Sequence, residues 1–146
     1  KARGPMVMTG YLGEPDRAEW LDTGDFGHLD EAGCLHVAAR REDLIISGGE
    51  NVYPAEVEAA LMAHPDVAYA AVLGRPDPKW GQAPHAYLVL RPGPAPDFKA
   101  WLAPRLARYK HPGGYTVLDA LPLLPNGKVD RQVLGRVEVQ LDKAGG

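Results

Sequence analysis

Asp43-Leu44-Ile45-Ile46-Ser47-Gly48-Gly49-Glu50-Asn51-Val52-Tyr53-Pro54-Ala55-Glu56-Val57-Glu58 carries a hairpin signal and a helix start in immediate succession. Two stretches suited to extended backbone, Leu44-Ile45-Ile46 and Asn51-Val52-Tyr53, flank Ser47-Gly48-Gly49-Glu50, whose glycines can take the positive φ of a tight turn. Pro54 then falls at the first position of a helix, where its missing N–H costs nothing. Glu56 and Glu58 lie near the positive end of that helix dipole. Val57, Ala60, Leu61 and His64 share one face, which predicts a helix over about 55–63 lying on a sheet and ended by Pro65.

Beyond that helix, residues 67–73 and 83–90 are apolar at nearly every position and read as paired central strands. A polar loop containing Arg75-Pro76-Asp77 and Lys79-Trp80-Gly81 separates them. Arg91-Pro92-Gly93-Pro94-Ala95-Pro96 is a stiff linker, and Asp97 suits the N-cap of a second helix reaching about residue 108. Trp101, Leu102 and Leu106 would face the core, with a kink at Pro104. Residues 115–118 suit a third strand, and 130–134 a short helix following Pro125-Asn126-Gly127-Lys128. The expectation is an α+β unit over 42–137, a small sheet flanked by helices, with 138–146 as a flexible tail.

On the other side of Asp43 the texture changes. Residues 1–41 are rich in Gly and Asp, and Cys34-Leu35-His36-Val37-Ala38 follows the turn signal Asp30-Glu31-Ala32-Gly33. Short antiparallel strands with no apolar face of their own are expected there, packed on something else. The chain opens on Lys1 without an initiator Met and reads as though it begins inside a longer one.

The 146 residues suffice for about one core, and 45% hydrophobic with 24% charged residues excludes a disordered or fibrous chain. A net charge of −3 provides no global attraction to nucleic acid or anionic lipid. No apolar run approaches the ~20 residues of a membrane span, and residues 1–10 lack the apolar segment of a signal peptide. One cysteine excludes an internal disulfide and points to a reducing cytoplasm. Cys34 itself reads as a buried, inert thiol in an apolar strand. His28, His36, His64, His85 and His111 show no H-x-x-x-H and no Cys/His cluster, so no protein-held metal is expected.

Four local features can carry chemistry. In Thr23-Gly24-Asp25 a carboxylate stands at a glycine turn, placed to accept from a vicinal diol or only from its own turn. Ala39-Arg40-Arg41-Glu42-Asp43 offers guanidinium forks for phosphate or carboxylate, or a solvated hinge. Ser47-Gly48-Gly49-Glu50-Asn51 allows close ligand approach or serves as a plain hairpin turn; without the lysine of a P-loop it does not suit ATP phosphates. Lys128, after Gly127 on a loop, can deliver a point charge to a developing negative charge or remain a surface lysine.

Taken in order, these features resemble the C-terminal part of the adenylate-forming enzymes: acyl- and aryl-CoA ligases, adenylation domains and luciferases. The resemblance runs over Gly10-Tyr11-Leu12, Thr23-Gly24-Asp25, residues 43–58, Pro76-Asp77 with Trp80-Gly81, Tyr109-Lys110, and Pro125-Asn126-Gly127-Lys128 with Arg131. Arg40-Arg41-Glu42-Asp43 leading into Ser47-Gly48-Gly49-Glu50-Asn51 looks most like the 2-succinylbenzoate–CoA ligases of menaquinone synthesis. Ala39, Glu42 and Leu123 depart from residues common in the family, Gly, Asp or Lys, and Arg respectively.

The resemblance implies that a carboxylate attacks the α-phosphate of Mg2+-ATP to form an acyl-adenylate, whose AMP the thiol of CoA then displaces. It implies that Asp25 holds the ribose hydroxyls, Arg40 contacts the nucleotide, and Glu42 is the hinge of a rotating C-terminal lid. Lys128 would enter the site for adenylation and leave for thioester formation, when Gly48 and Gly49 face the pantetheine arm. Residues 1–41 would be the last strands of the N-terminal AMP-binding domain, whose phosphate loop and acyl pocket are not in the sequence. The chain alone is then expected to be inactive. The alternatives are a non-catalytic binding module of the same fold, another acyl-CoA synthetase, or an adenylation domain.

Overall fold

The structure is a computed structural model that describes residues 1–8, 10, 12–13 and 20–137. Tyr11 and the expected tail at 138–146 lie outside the described residues. The chain divides into two compact units, Lys1–Glu42 and a second from Asp43 onward.

In the first unit, β1 (Asp25–Leu29) and β2 (Leu35–Arg40) pair antiparallel, with a bulge between Phe26 and Gly27. Asp30 shapes their turn: its Oδ1 accepts the N–H of Ala32 at 3.0 Å and of Cys34 at 2.8 Å. Leu29, Leu35 and Val37 are exposed within this ribbon, consistent with strands that have no core of their own. Cys34 corrects the sequence expectation. It is exposed, because it belongs to the turn ahead of β2 and a two-stranded ribbon has no second layer to cover it.

In the second unit, β3 (Ile45–Ser47) and β4 (Glu50–Val52) form the expected hairpin. Gly48 at φ +59° and Gly49 at φ +88° make its two-residue turn. α1 (Pro54–Met62) follows directly, with Val57 and Leu61 fully buried. β5 (Val67–Asp77) and β6 (Gly81–Leu90) pair antiparallel over their whole length. The other edge of β6 is shared by β3, through Ser47 opposite Gly81, and by the parallel strand β7 (Gly114–Val117).

The sheet is covered on both faces, which explains the continuous apolar runs. Val72, Ala86 and Leu88 join Val57, Leu61, Phe98 and Leu102 in one core cluster, while Ala71 and Tyr87 pack with Leu134 in another. Burial on both faces is also why β5 reads as central in sequence. It is an edge strand, and that position lets it run through Pro76, whose missing N–H is tolerated there.

Two boundaries differ from expectation. α2 (Phe98–Leu102) starts at Asp97, whose side chain accepts from the Ala100 N–H, but it stops before Pro104 rather than continuing to 108. The pyrrolidine ring ends the helix instead of kinking it, and a single 3-10 turn at Arg108–Lys110 follows. α3 (Arg131–Gly135) is capped by Asp130, which accepts from the N–H groups of Gln132 and Val133. No helix among the described residues is long and apolar enough to cross a membrane.

Candidate functional site

In the first unit the strand pairing brings Asp25 and Arg40 together. They lie opposite each other at the end of the ribbon, and Arg40 Nε is 3.2 Å from Asp25 Oδ1. Gly24, at φ +73°, turns the chain into β1 and its carbonyl accepts the Arg41 N–H at 2.7 Å. Arg41 is occupied elsewhere: its guanidinium forks onto Asp22 at 3.2–3.3 Å. The Gly24 N–H, accepted by Asp22, and then Arg41 hold the Asp22 carboxyl below the usual aspartate range. Asp22 is the member of this cluster that sequence reasoning missed. Gly24, Arg40, Arg41 and Glu42 line a shallow pocket of about 310 Å3. Glu42 sits in the 3-10 turn Arg41–Asp43, as the last residue of the first unit.

In the second unit Lys128 and the Gly48-Gly49 turn occupy separate places. Lys128 is exposed on a tight hairpin in which Leu123 bridges Val129. The Leu124 N–H donates to the Lys128 carbonyl at 2.7 Å, and Gly127 takes φ +81°. The Lys128 N–H donates to Asn126 Oδ1 at 3.1 Å, so the backbone is tied down while the ammonium makes no ion pair among the described residues.

Gly48 opens onto a groove of about 750 Å3 lined also by Lys79, Trp80, Arg108, Tyr109 and His111. No residue of the Lys128 hairpin lines it. The Gly48 N–H donates to the Trp80 carbonyl at 2.9 Å, and a Cβ on Gly48 would stand 2.6 Å from the Trp80 ring. Close approach to the indole, as well as positive φ, therefore requires glycine. Trp80 is held by Asp77, whose Oδ1 accepts from the N–H groups of Lys79 and Trp80 at 2.8 Å. Lys79 Nζ lies 4.5 Å from the indole centroid.

Across the groove, the turn bearing Arg108 and Tyr109 is anchored by Lys110, which donates to both Glu56 oxygens at 2.6 and 2.7 Å. That bond pushes the Lys110 pKa above its ordinary value. The Trp80-Gly81 and Tyr109-Lys110 pairs were visible in sequence. Their convergence with Arg108 and His111 required the fold. No group of three or more His, Cys, Asp or Glu able to hold a metal occurs among the described residues.

The chain belongs to the AMP-binding enzyme C-terminal domain family, whose match covers residues 56–128. It is 49% identical over 142 residues to the 2-succinylbenzoate–CoA ligase of Bacillus velezensis, an alignment covering 92% of this chain and 29% of that protein. The o-succinylbenzoate CoA synthetase of Bacillus subtilis, solved with the acyl-adenylate intermediate OSB-AMP, superposes with a TM-score of 0.84 at 46% identity, over 93% of this chain and 30% of that one. A second structure of that enzyme, with ATP and magnesium ion, matches at TM-score 0.81 and 47% identity, over 91% and 29%. The chain thus spans about three-tenths of the length of the relatives it matches.

Proposed function

We propose that this chain is the C-terminal part of an AMP-forming acid–CoA ligase acting on 2-succinylbenzoate in menaquinone synthesis. In the first half-reaction the acid's carboxylate attacks the α-phosphorus of Mg2+-ATP and diphosphate leaves. In the second, the sulfur of CoA attacks the acyl carbonyl and AMP leaves. The magnesium enters with ATP.

The observation that carries this reading is that one body presents two different chemistries at separate places. Lys128 is a point charge on a backbone-braced hairpin, suited to neutralise charge that develops between carboxylate and phosphate. The Gly48 groove has an exposed indole and the cations of Lys79 and Arg108, suited to an aromatic base, phosphates and the slender pantetheine arm. Two transition states that need different groups in one place are served by a lid that turns, and residue 42 ends one compact unit where the next begins. Asp25 and Arg40 are assigned to the ribose hydroxyls and the nucleotide, Glu42 to the hinge, and Gly48 and Gly49 to the pantetheine. Residues 1–41 are the end of the AMP-binding domain that supplies the rest of the nucleotide and acyl sites.

In the full-length enzyme, Lys128→Ala should abolish ATP–diphosphate exchange driven by 2-succinylbenzoate yet spare thioester formation from separately prepared acyl-adenylate. The loss should be about 3–4 kcal/mol in transition-state stabilisation, the scale of one lost oxyanion donor. Exchange at the wild-type rate would remove Lys128 from the mechanism.

A further inference from the structure

Arg131 lies three residues beyond Lys128, at the start of α3, and its guanidinium reaches three other parts of the second unit. Nη1 donates to the Val72 carbonyl at 2.8 Å, Nη2 donates to Glu58 Oε1 at 3.0 Å, and Nε lies 3.5 Å from Asp43 Oδ1. Glu58 Oε1 also accepts the Val72 N–H at 2.8 Å. Val72 therefore turns both backbone groups toward the open edge of β5, where side chains from α1 and α3 satisfy them in place of a strand. The planar guanidinium holds the carbonyl and two carboxylates from fixed directions, which the flexible point charge of a lysine does less well.

This cluster is also the stalk of the Lys128 hairpin. The Asp130 N–H donates to the Pro122 carbonyl at 2.8 Å and closes the hairpin base next to Arg131. Leu123 and Leu124 at the hairpin's outer end are exposed, and its contacts with the body are made at the base, where Val129 packs on the Ala71, Tyr87 and Leu134 cluster beside Arg131. At the other end of the cluster stands Asp43, the first residue of the second unit and the neighbour of Glu42.

The geometry points to Arg131 as a positioning residue for adenylation: it fixes the base of the Lys128 hairpin to the hinge end of the lid, so that one rotation delivers Lys128 in register. The inference rests on the ligase reading above. Arg131 touches no reacting atom in this role. Its removal leaves Lys128 present and misplaced, and a displacement of about 1 Å in such a group costs on the order of a hundredfold in rate.

The test uses the full-length enzyme, with 2-succinylbenzoate and ATP for exchange, and with prepared acyl-adenylate and CoA for the second step. Arg131→Ala should lower kcat for exchange roughly tenfold to a hundredfold, leave KM for ATP near wild type, and leave the thioester step within about twofold. Arg131→Lys, which keeps the charge without the fork, should recover part of the loss. Should Arg131→Ala leave exchange at the wild-type rate, or lower both half-reactions by the same factor as a folding defect would, the positioning role is overturned. Lys128→Ala, run in parallel, separates the two readings. If the unsubstituted enzyme gives no exchange, the ligase assignment fails; if Lys128→Ala leaves exchange intact, the role of Lys128 falls and the positioning role with it; and if it abolishes exchange, a wild-type rate for Arg131→Ala overturns the positioning role alone.

Discussion

At the residue scale, His85 is buried at 6% exposure on β6, hydrogen-bonded to Thr116 Oγ1 at 2.8 Å. Burial, and then the charge of Arg75, push its pKa down to about 4. The neutral ring is the native form, so the unfolded chain binds the extra proton first. The stability this provides is complete above the ordinary pKa near 6.5 and is lost as pH falls toward 4. Urea unfolding midpoints should therefore fall over that window, and His85→Gln should flatten that part of the profile. Gly114 faces the same ring, and a Cβ there would stand 2.9 Å from it. Gly114→Ala should cost about 1–3 kcal/mol by overpacking, read as a lower unfolding midpoint. Tyr115 presents the opposite case. Its hydroxyl is buried without a partner among the described residues, and burial raises its pKa to about 12. Tyr115→Phe removes an unmet donor and should leave stability unchanged or raise it by about 1 kcal/mol. None of these environments was legible in sequence, because each brings together residues ten to about thirty positions apart, and β7 must lie beside β6 for Gly114, Tyr115 and Thr116 to take their places.

At the element scale, the β3–β4 hairpin and α1 follow from their own residues. Two glycines meet the turn's demand for positive φ, and Pro54 begins the helix at the position where it belongs. The same turn forms one wall of the groove through Gly48. Gly48→Ala should lose about 1 kcal/mol from backbone strain and displace Trp80, slowing the thioester step more than adenylation. Comparing half-reactions while following indole fluorescence measures both. The shorter α2 and longer β5 were not visible in the same way. Where α2 ends is set by Pro104 against the pull of Leu106 toward the core, and how far β5 runs is set by ladder partners on β6. Glu58 illustrates the difference. In sequence it belongs to the dipole of α1, whereas in the fold its carboxylate serves the edge of β5 and Arg131.

At the scale of the whole molecule, the two units differ in what holds them. The second buries Val52, Val57, Leu61, Val72, Leu88 and Leu102 completely, whereas the ribbon of the first leaves Leu29, Leu35 and Val37 exposed. Expressed alone, residues 43–146 should unfold cooperatively and residues 1–42 should give no folded baseline by circular dichroism. The 146-residue chain should show no ATP–diphosphate exchange, and turnover by the purified chain would overturn the assignment to a lid. The sequence alone carried the resemblance to the family through its ordered motifs, and it carried the turn glycines and helix starts, which are properties of neighbours along the chain, where φ preferences and capping act. Folding in three dimensions was needed to join Trp80 to Arg108 and Tyr109 in one groove, to seal the edge of β5, and to tie Arg131 to Glu58 and Asp43. Those contacts span tens of residues. Their partners are selected by strand order and by burial on both faces of the sheet, which no local stretch of sequence encodes by itself.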